Sequence, residues 1–279
     1  IEEYEFEDKN NLNFKNNIYL ATVSRVEPSL QAAFVNFGRE RHGFLAFNDI
    51  QSDYYQIPSE DKEKLKIVEE QIRESLKDKD KSNGPILENS QSENNQVDIN
   101  NNTEDKIKES NSDDLKEEKK VNYREEFKSS FGIKKYRIQE VIKPGQVILI
   151  QVIKEERGQK GAALTTFISL AGKYIVLMPN TAKGGGISRK IFNSGERFKI
   201  RSILNEIDIP KSMGVIVRTA GANKTRNEIE KDFKNTLKTW EQIKEKALNS
   251  NAPSLVYEEG DIIKRTLRDT YDNETKNIY

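Results

Sequence analysis

The chain has 279 residues, with 46 acidic and 46 basic side chains, one histidine and no cysteine. This length suits one large or two small domains, and the lack of cysteine excludes disulfides, thiolate zinc sites and thiol nucleophiles, as is typical of a reducing cytoplasm. No apolar run approaches the roughly 20 residues of a membrane-spanning helix, no signal peptide opens the chain, and the first and last residues predict a piece of a longer protein.

The balanced total conceals an uneven distribution of charge. Residues 78–120 hold twelve acidic and seven basic side chains, a net charge of −5, so the remaining residues carry +5. A mildly basic remainder permits a polyanionic partner. The 78–120 segment has no aromatic residue and few strongly apolar ones. Because it cannot bury enough surface to offset its ordering entropy, we expect a disordered insertion.

The first predicted elements are short strands. From Ile18 the chain runs through IYLATVSRV, LQAAFVNFG and GFLAF, separated by short polar turns in which Gly38 and Gly43 would supply positive φ. This pattern indicates a small β-barrel. A helix is predicted next, because apolar residues recur every three or four positions at Leu65, Val68, Ile72 and Leu76. After the insertion, VIKPGQVILIQV predicts the strand that continues the barrel.

The second half predicts a small mixed α/β unit. GERFKIRSILNEI is helix-like, GVIVRTAG is typical of a strand, and apolar residues at helical spacing predict a long helix over Thr225–Leu248. A turn, a short strand and the start of another helix follow. Between the halves, Val152–Asn180 is predicted to join two modules. The predicted fold class is therefore α+β with several subdomains.

Aromatic and basic residues of the predicted barrel form a first candidate site. Small barrels bind single-stranded nucleic acids by stacking bases on aromatic rings in a basic groove. The alternative is that the rings form the barrel core. Phe34 and Phe37 would point to opposite faces of an unbulged strand, so both cannot stack on bases unless the strand has a bulge. The only histidine lies in a turn, where we expect a structural role. The residues concerned are Phe34, Phe37, Phe44, His42, Arg39, Arg41, Lys15 and Lys160.

A second candidate site combines the runs GGGISRK and VRTAGANK. Glycines let backbone amides approach an anion, while Arg218 offers a guanidinium fork and Thr219 a hydroxyl donor at the end of an apolar strand. The alternative is a pair of glycine loops with solvated charges, since neither run has the spacing of a nucleoside-triphosphate loop. No pair of aspartates ends an apolar strand, so the residues alone indicate no catalytic site.

Four longer runs resemble the N-terminal half of members of the ribonuclease E/G family. They are NIYLATVSRVEPSLQAAFVNFGRERHGFLAF, VIKEERGQKGAALTTFISLAGKYIVLMPN, GGGISRKI and GVIVRTAG, in the order in which the family has them. The resemblance covers the whole chain except the insertion, and the insertion together with PNTAKGGGISRK is most similar to alphaproteobacterial members.

The resemblance implies four parts. Residues 1–16 and 264–279 would belong to an incomplete RNase H-like subdomain. Residues 17–166 would form an S1-type RNA-binding domain with an OB barrel, interrupted by the insertion at about 78–120. Residues 167–263 would form a 5′-sensor subdomain that recognises a 5′-monophosphate on RNA.

The resemblance also implies roles for particular residues. Phe37 stands where the family has a tyrosine, which removes a hydroxyl, and Lys190 stands where it has an arginine, which removes a fork. The implied RNA-binding surface of the S1-type domain consists of Phe34, Phe37, Phe44, Lys160 and Lys15. The implied 5′-phosphate sensor consists of Gly172, Val176, Arg189, Lys190, Arg218 and Thr219.

For the whole protein, the resemblance implies a single-strand-specific endoribonuclease of RNA decay and rRNA and tRNA processing. Such a protein would be a cytoplasmic homotetramer that can associate with the inner membrane and with degradosome proteins. It would use Mg²⁺ and Zn²⁺, both with ligands outside this chain. The chain itself would select single-stranded RNA with a 5′-monophosphate and would be catalytically inactive alone. Two alternatives are a stand-alone RNA-binding module from a truncated reading frame and a scaffold whose insertion recruits other proteins.

Overall fold

The structure, a computed structural model, describes residues 14–63, 67, 136–155, 161–181, 186–210, 212–260, 262–271 and 275–278. The strands are β1 (Ile18–Glu27), β2 (Ala32–Asn36), β3 (Gly43–Ala46), β4 (Val147–Lys154), β5 (Ala163–Thr165), β6 (Leu170–Ala171), β7 (Ile175–Met178), β8 (Gly186–Ile187), β9 (Gly214–Val217) and β10 (Ser254–Tyr257). The described residues include the α-helices α1 (Ile138–Val141), α2 (Ser194–Glu206), α3 (Arg226–Leu248) and α4 (Ile262–Thr270).

Strands β1 to β5 form a closed barrel in the order β1-β2-β3-β5-β4, which the pairing of β1 with β4 completes. The β3–β5 pair is parallel, and the other neighbours are antiparallel. A closed five-stranded barrel is consistent with the predicted OB-like fold. The continuation of the barrel after the insertion is also confirmed, because β4 closes it.

Glycine permits the close approach of β3 and β5. A Cβ atom at Gly43 would clash with the side chain of Leu164, and one at Gly161 would clash with the backbone of His42. Gly43 is therefore needed for close packing, and its predicted positive φ is wrong. Gly38 does have the predicted positive φ, of 90°, which side chains other than glycine rarely adopt.

The mixed α/β unit is confirmed as a second four-stranded sheet, ordered β6-β7-β9-β8, with α2 and α3 beside it. The predicted long helix is also confirmed as α3. It begins at a capping box in which Thr225 and Glu228 bond to each other's backbone amides. Its apolar stripe, which includes Phe233 and Trp240, is buried in the core of this unit.

Strand β1 belongs to both cores. Successive residues of a strand point to opposite faces. Tyr19 and Ala21 accordingly lie in the barrel core, while Ile18 and Leu20 pack with the core of the α/β unit. Strand β10 pairs antiparallel with the first residues of β1, so residues 254–257 extend the barrel sheet although they fall within the predicted 5′-sensor range. The two units therefore share a packed boundary.

Two predicted features lie outside the described residues: the disordered insertion at 78–120 and the helical stripe from Leu65 to Leu76. Phe14, which falls in the predicted 1–16 fragment, packs in the barrel core. Among the helices within the described ranges, none has the length and apolar character required to cross a lipid bilayer.

Candidate nucleic-acid interface

The outer face of β2 and β3 presents a pair of aromatic rings. Phe34 and Phe44 are register partners, and both are half-buried while their neighbours Ala33 and Leu45 fill the core. The ring centroids lie 6.1 Å apart at an interplanar angle of 75°. The guanidinium of Arg25 lies 4.5 Å from the Phe34 ring centroid, which is cation–π geometry.

Beside this pair is an open depression of about 550 Å³. It combines an aromatic ring with two arginines, a composition that suits base stacking and backbone contacts, and it also contains one carboxylate. The residues that line it are Ser24, Arg25, Phe34, Glu40, Arg41, His42 and Gly161.

Phe37 requires a correction, because the structure places it in the barrel core. Its exposed fraction is 1%, and its ring centroid lies 5.2 Å from that of Tyr19 and 6.4 Å from that of Phe14. The strand alternation that brings Phe34 to the surface turns Phe37 inward. A stacking role for Phe37 on RNA is therefore wrong.

The basic residues predicted around the rings are not all beside them. Lys15 is exposed at the start of the barrel, where its backbone amide donates to the Glu155 carboxylate at 3.2 Å. The guanidinium of Arg39 lies 4.4 Å from the ring of Phe14, on another part of the barrel. Lys160 lies outside the described residues.

The second candidate site is assembled at one edge of the four-stranded sheet. Strands β8 and β9 are parallel, so the residues after each strand, 188–190 and 218–219, emerge at the same edge. Strand β7 is antiparallel to β9, and β6 is antiparallel to β7, which brings the β6–β7 turn to this edge as well. Three segments of the chain thus meet at this edge, and one of them, the β6–β7 turn, includes Gly172, which is 46 residues before Arg218 in sequence.

Arg218 is held at this edge by two hydrogen bonds. Its Nη1 donates to the Gly172 carbonyl oxygen at 2.7 Å and to Asp269 Oδ1 at 2.6 Å. Its side chain is 28% exposed. Within the described part of the chain, Nε and Nη2 of Arg218 donate to no other group. One edge of the guanidinium is therefore fixed, and the other is available to an anion.

Asp232 on α3 holds the β6–β7 turn. Its carboxylate accepts hydrogen bonds from the backbone amides of Lys173, Tyr174 and Ile175, at 3.2, 2.8 and 3.1 Å. A Cβ atom at Gly172 would lie 2.6 Å from this carboxylate. Glycine is needed there because the turn and the helix approach each other so closely.

The remaining predicted sensor residues lie along the same edge or on the sheet. Thr219, Arg189 and Lys190 are exposed, and Val176 is half-buried on β7 opposite Ile216 of β9. The loop after β8 is braced by Arg197 of α2, whose Nη1 donates to the carbonyl oxygens of residues 188 and 191, each at 3.1 Å.

Sequence reasoning missed the acidic and basic residues that support Arg218. Arg268 and Asp269 lie on α4, which the predicted domain boundaries separate from the sensor, and nothing in the sequence linked them to Arg218. Burial opposes the charge of Arg268, but hydrogen bonds to Asp269 and Glu259 raise the pKa of its guanidinium. Burial likewise opposes the charge of Asp269, but hydrogen bonds from Arg268 and Arg218 lower the pKa of its carboxyl.

No cluster of three or more histidine, aspartate or glutamate side chains that could hold a metal ion occurs among the described residues. The charged groups at the sheet edge are paired as ions or exposed. Their arrangement suits an anionic ligand.

The fold and these two surfaces define a class of protein: an OB-like barrel packed against a mixed α/β unit, each with a candidate surface for a polyanion. The model of the ribonuclease E/G family matches residues 169–279. Ribonuclease E of Haemophilus influenzae is 34% identical over 255 residues, which cover 91% of this chain and 20% of that protein. Ribonuclease E of Escherichia coli is 35% identical over 255 residues, with 91% and 17% covered.

A ribonuclease E of Synechocystis is 40% identical over 141 residues, which cover 50% of this chain and 21% of that protein. The chain therefore belongs to the ribonuclease E/G family. It spans about a fifth of the length of the curated relatives named here.

Proposed function

We propose that this chain is the RNA-recognition part of an endoribonuclease, which binds single-stranded RNA and selects molecules with a 5′-monophosphate. The observation that supports this most directly is the half-fixed guanidinium of Arg218, whose Nε and Nη2 edge is available at a sheet edge with other cationic residues. The ribonuclease E names of the relatives support RNA as the polyanion.

The terminal phosphate suits the sheet edge chemically. Phosphate oxygens accept paired hydrogen bonds from an arginine fork, and the Nε–Nη2 edge of Arg218 has that geometry. The Thr219 hydroxyl, also exposed, would add a donor, and Arg189 and Lys190 would add positive charge along the same edge. A 5′-hydroxyl end has no such charge and would gain little from these groups.

The barrel supplies the second part of the proposal. Phe34 and Phe44 offer two adjacent rings, and the Arg25 guanidinium makes a cation–π contact with the Phe34 ring. Base stacking on aromatic side chains contributes about 1–3 kcal/mol per base without a strong sequence preference. We assign single-strand binding to this S1-type surface and end selection to the sheet edge.

The proposal assigns recognition to this chain and the cleavage of the phosphodiester bond to other parts of a longer enzyme. Mg²⁺ and Zn²⁺, which the family resemblance implies for the whole protein, would have their ligands outside this chain. In this proposal the described residues contribute hydrogen-bond donors, positive charge and aromatic surface.

Fluorescence anisotropy with two otherwise identical single-stranded RNAs tests this function. One carries a 5′-monophosphate and the other a 5′-hydroxyl, and both are labelled at the 3′ end. We expect the monophosphorylated RNA to bind at least about tenfold more tightly, since charge-assisted hydrogen bonds contribute about 1.5–3 kcal/mol each. Equal affinity would contradict the sensor assignment, and no binding of either RNA would contradict RNA recognition as a whole.

A further inference from the structure

Arg218 stands at the end of a chain of four alternating charges. Glu259 accepts from Arg268 Nη1 at 2.5 Å, and Arg268 Nε and Nη2 donate to the two oxygens of Asp269 at 3.0 and 3.1 Å. Asp269 Oδ1 in turn accepts from Arg218 Nη1 at 2.6 Å. The charges of the four groups cancel, so the chain orders Arg218 without adding net charge.

The chain begins at a buried and fixed point. The Glu259 side chain is only 3% exposed, and its backbone amide donates to Asn17 Oδ1 at 2.9 Å. Asn17 is itself buried and directly precedes β1 of the barrel. Arg268 also donates to the carbonyl oxygen of Ala171, at 3.4 Å, one residue before Gly172. The position of Asp269 is therefore set from both the barrel and the β6–β7 turn.

Asp269 contacts Arg218 on the side that a phosphate does not need. Nη1 carries two hydrogens, and Gly172 and Asp269 accept one each. The Nε and Nη2 hydrogens remain as a parallel pair, which is the pair that a phosphate can accept in bidentate fashion. An arginine side chain loses considerable rotamer entropy when a ligand orders it, and an arginine that is already fixed loses less.

We infer that Asp269 is a positioning residue for phosphate recognition, because it orders the Arg218 guanidinium with its Nε–Nη2 edge directed to the ligand. This inference rests on the proposed function, in which Arg218 binds the terminal phosphate. It extends the sensor to Asp269 of α4, outside the 167–263 segment that the family resemblance implies.

The opposite role would be that of a competitor. A carboxylate that occupied the position of the phosphate would have to leave before RNA could bind, and its removal would then strengthen binding. The two roles predict opposite signs. The geometry favours positioning, because Asp269 shares Nη1 with a backbone carbonyl and is held by both hydrogen bonds from Arg268.

Affinity measurements on Asp269→Ala and Asp269→Asn in the 279-residue chain distinguish these roles. We expect Asp269→Ala to weaken binding of 5′-monophosphorylated RNA about tenfold, the size of one lost charge-assisted hydrogen bond. Binding of 5′-hydroxyl RNA should not change. Asp269→Asn retains the shape and one acceptor, so its loss should be smaller. Should the alanine variant fold poorly, the asparagine variant decides the question, because weaker binding of monophosphorylated RNA indicates positioning and tighter binding indicates competition.

Thr266→Ala, one turn earlier on the exposed side of α4, is the matched control and should leave both affinities unchanged. The decisive comparison is made in an Arg218→Ala background. A residue that acts only through Arg218 has no further effect once Arg218 is gone, whereas an independent contribution adds. Unchanged or tighter monophosphate binding by the Asp269 variants, or full additivity with Arg218→Ala, would overturn the inference. If the wild-type chain binds 5′-monophosphorylated and 5′-hydroxyl RNA equally well, the proposed function itself is wrong.

Discussion

Phe34 and Phe37 are three residues apart on the same stretch of chain, and the alternation of the strand gives them opposite environments. Phe34 faces outward beside Phe44 and Arg25, and Phe37 is buried between Tyr19 and Phe14. Two similar side chains should therefore respond to substitution in different assays.

Replacing Phe34 or Phe44 with alanine should weaken single-strand binding while leaving the fold largely intact. We expect a loss of about 1–3 kcal/mol for each ring, the contribution of a stacked base. Anisotropy with a 5′-hydroxyl RNA measures this separately from the sheet edge. Leu30→Ala, an exposed apolar residue in the β1–β2 turn, is the control. Unchanged affinity in both phenylalanine variants would show that the RNA-binding surface does not include these two rings.

Phe37→Ala should lower the free energy of unfolding by about 3–5 kcal/mol, because it removes a fully buried ring from the barrel core. Chemical denaturation measures the change, and Phe34→Ala provides the comparison at a half-buried ring, where the loss should be much smaller. Similar losses in the two variants would contradict the assignment of inner and outer faces.

At the residue scale, the sequence predicted part of this arrangement. Strand alternation established that Phe34 and Phe37 point to opposite faces, but it does not state which face is the core. That choice depends on packing against Phe14 and Tyr19, which come from other segments. A single-sequence pattern does not contain those contacts.

At the scale of elements, the β6–β7 turn depends on one carboxylate of α3. Asp232 accepts from three consecutive backbone amides, so α3 fixes the turn that presents the Gly172 carbonyl to Arg218. The stability of this turn and the geometry of the sheet edge are therefore linked.

Asp232→Ala should lower the free energy of unfolding by about 3 kcal/mol, because three amides lose their acceptor and some remain partly buried. It should also reduce the preference for 5′-monophosphorylated RNA. Denaturation and anisotropy measure the two effects. Asn235→Ala, exposed on the same helix, is the matched control. A variant as stable as the control would show that the turn holds its shape without Asp232.

The helix itself was predictable, whereas this use of it was not. The spacing of Ile229, Phe233 and Trp240 indicates one buried stripe, and the structure buries all three. Asp232 precedes Phe233 and is not distinguished in the sequence from the other charged residues of α3. Its role depends on the turn that packs beside it, 58 residues away for Tyr174.

At the scale of the whole molecule, two side-chain amides connect the units. Gln151 of β4 accepts from the Ser169 amide at 2.8 Å and donates to the carbonyl oxygens of Asn16 and Ser169, each at 2.9 Å. Asn180, after β7, accepts from Ile168 at 2.9 Å and donates to Thr166 at 2.7 Å. Side-chain hydrogen bonds thus connect the two units at the predicted join over Val152–Asn180.

Gln151→Ala should lower the free energy of unfolding by about 1–3 kcal/mol, because partly buried backbone groups of Asn16 and Ser169 lose their partner. We also expect the single cooperative transition to separate into two, because the two units would then unfold independently. Denaturation followed by Trp240 fluorescence and by circular dichroism measures this. Gln56→Ala, a surface glutamine, is the control. Coincident transitions at unchanged stability would show that the units do not depend on this amide.

The long-range pairing marks the limit of prediction at this scale. Strand β10 was predicted as a strand, but its pairing with β1, more than 230 residues earlier, was not. Short strands of four residues carry too little pattern to specify a partner. The charge chain from Glu259 to Arg218 could not be predicted for the same reason, because its members come from distant segments.

The central claim is that Arg218 reads the 5′-phosphate, and a two-by-two binding comparison tests it most directly. Wild-type and Arg218→Ala chains are each titrated with 5′-monophosphorylated and 5′-hydroxyl RNA, with Arg201→Ala on α2 as a control for loss of one charge. We predict that Arg218→Ala reduces the affinity for the monophosphorylated RNA to that for the hydroxyl RNA and leaves the latter unchanged. A preference that survives in Arg218→Ala would contradict the account.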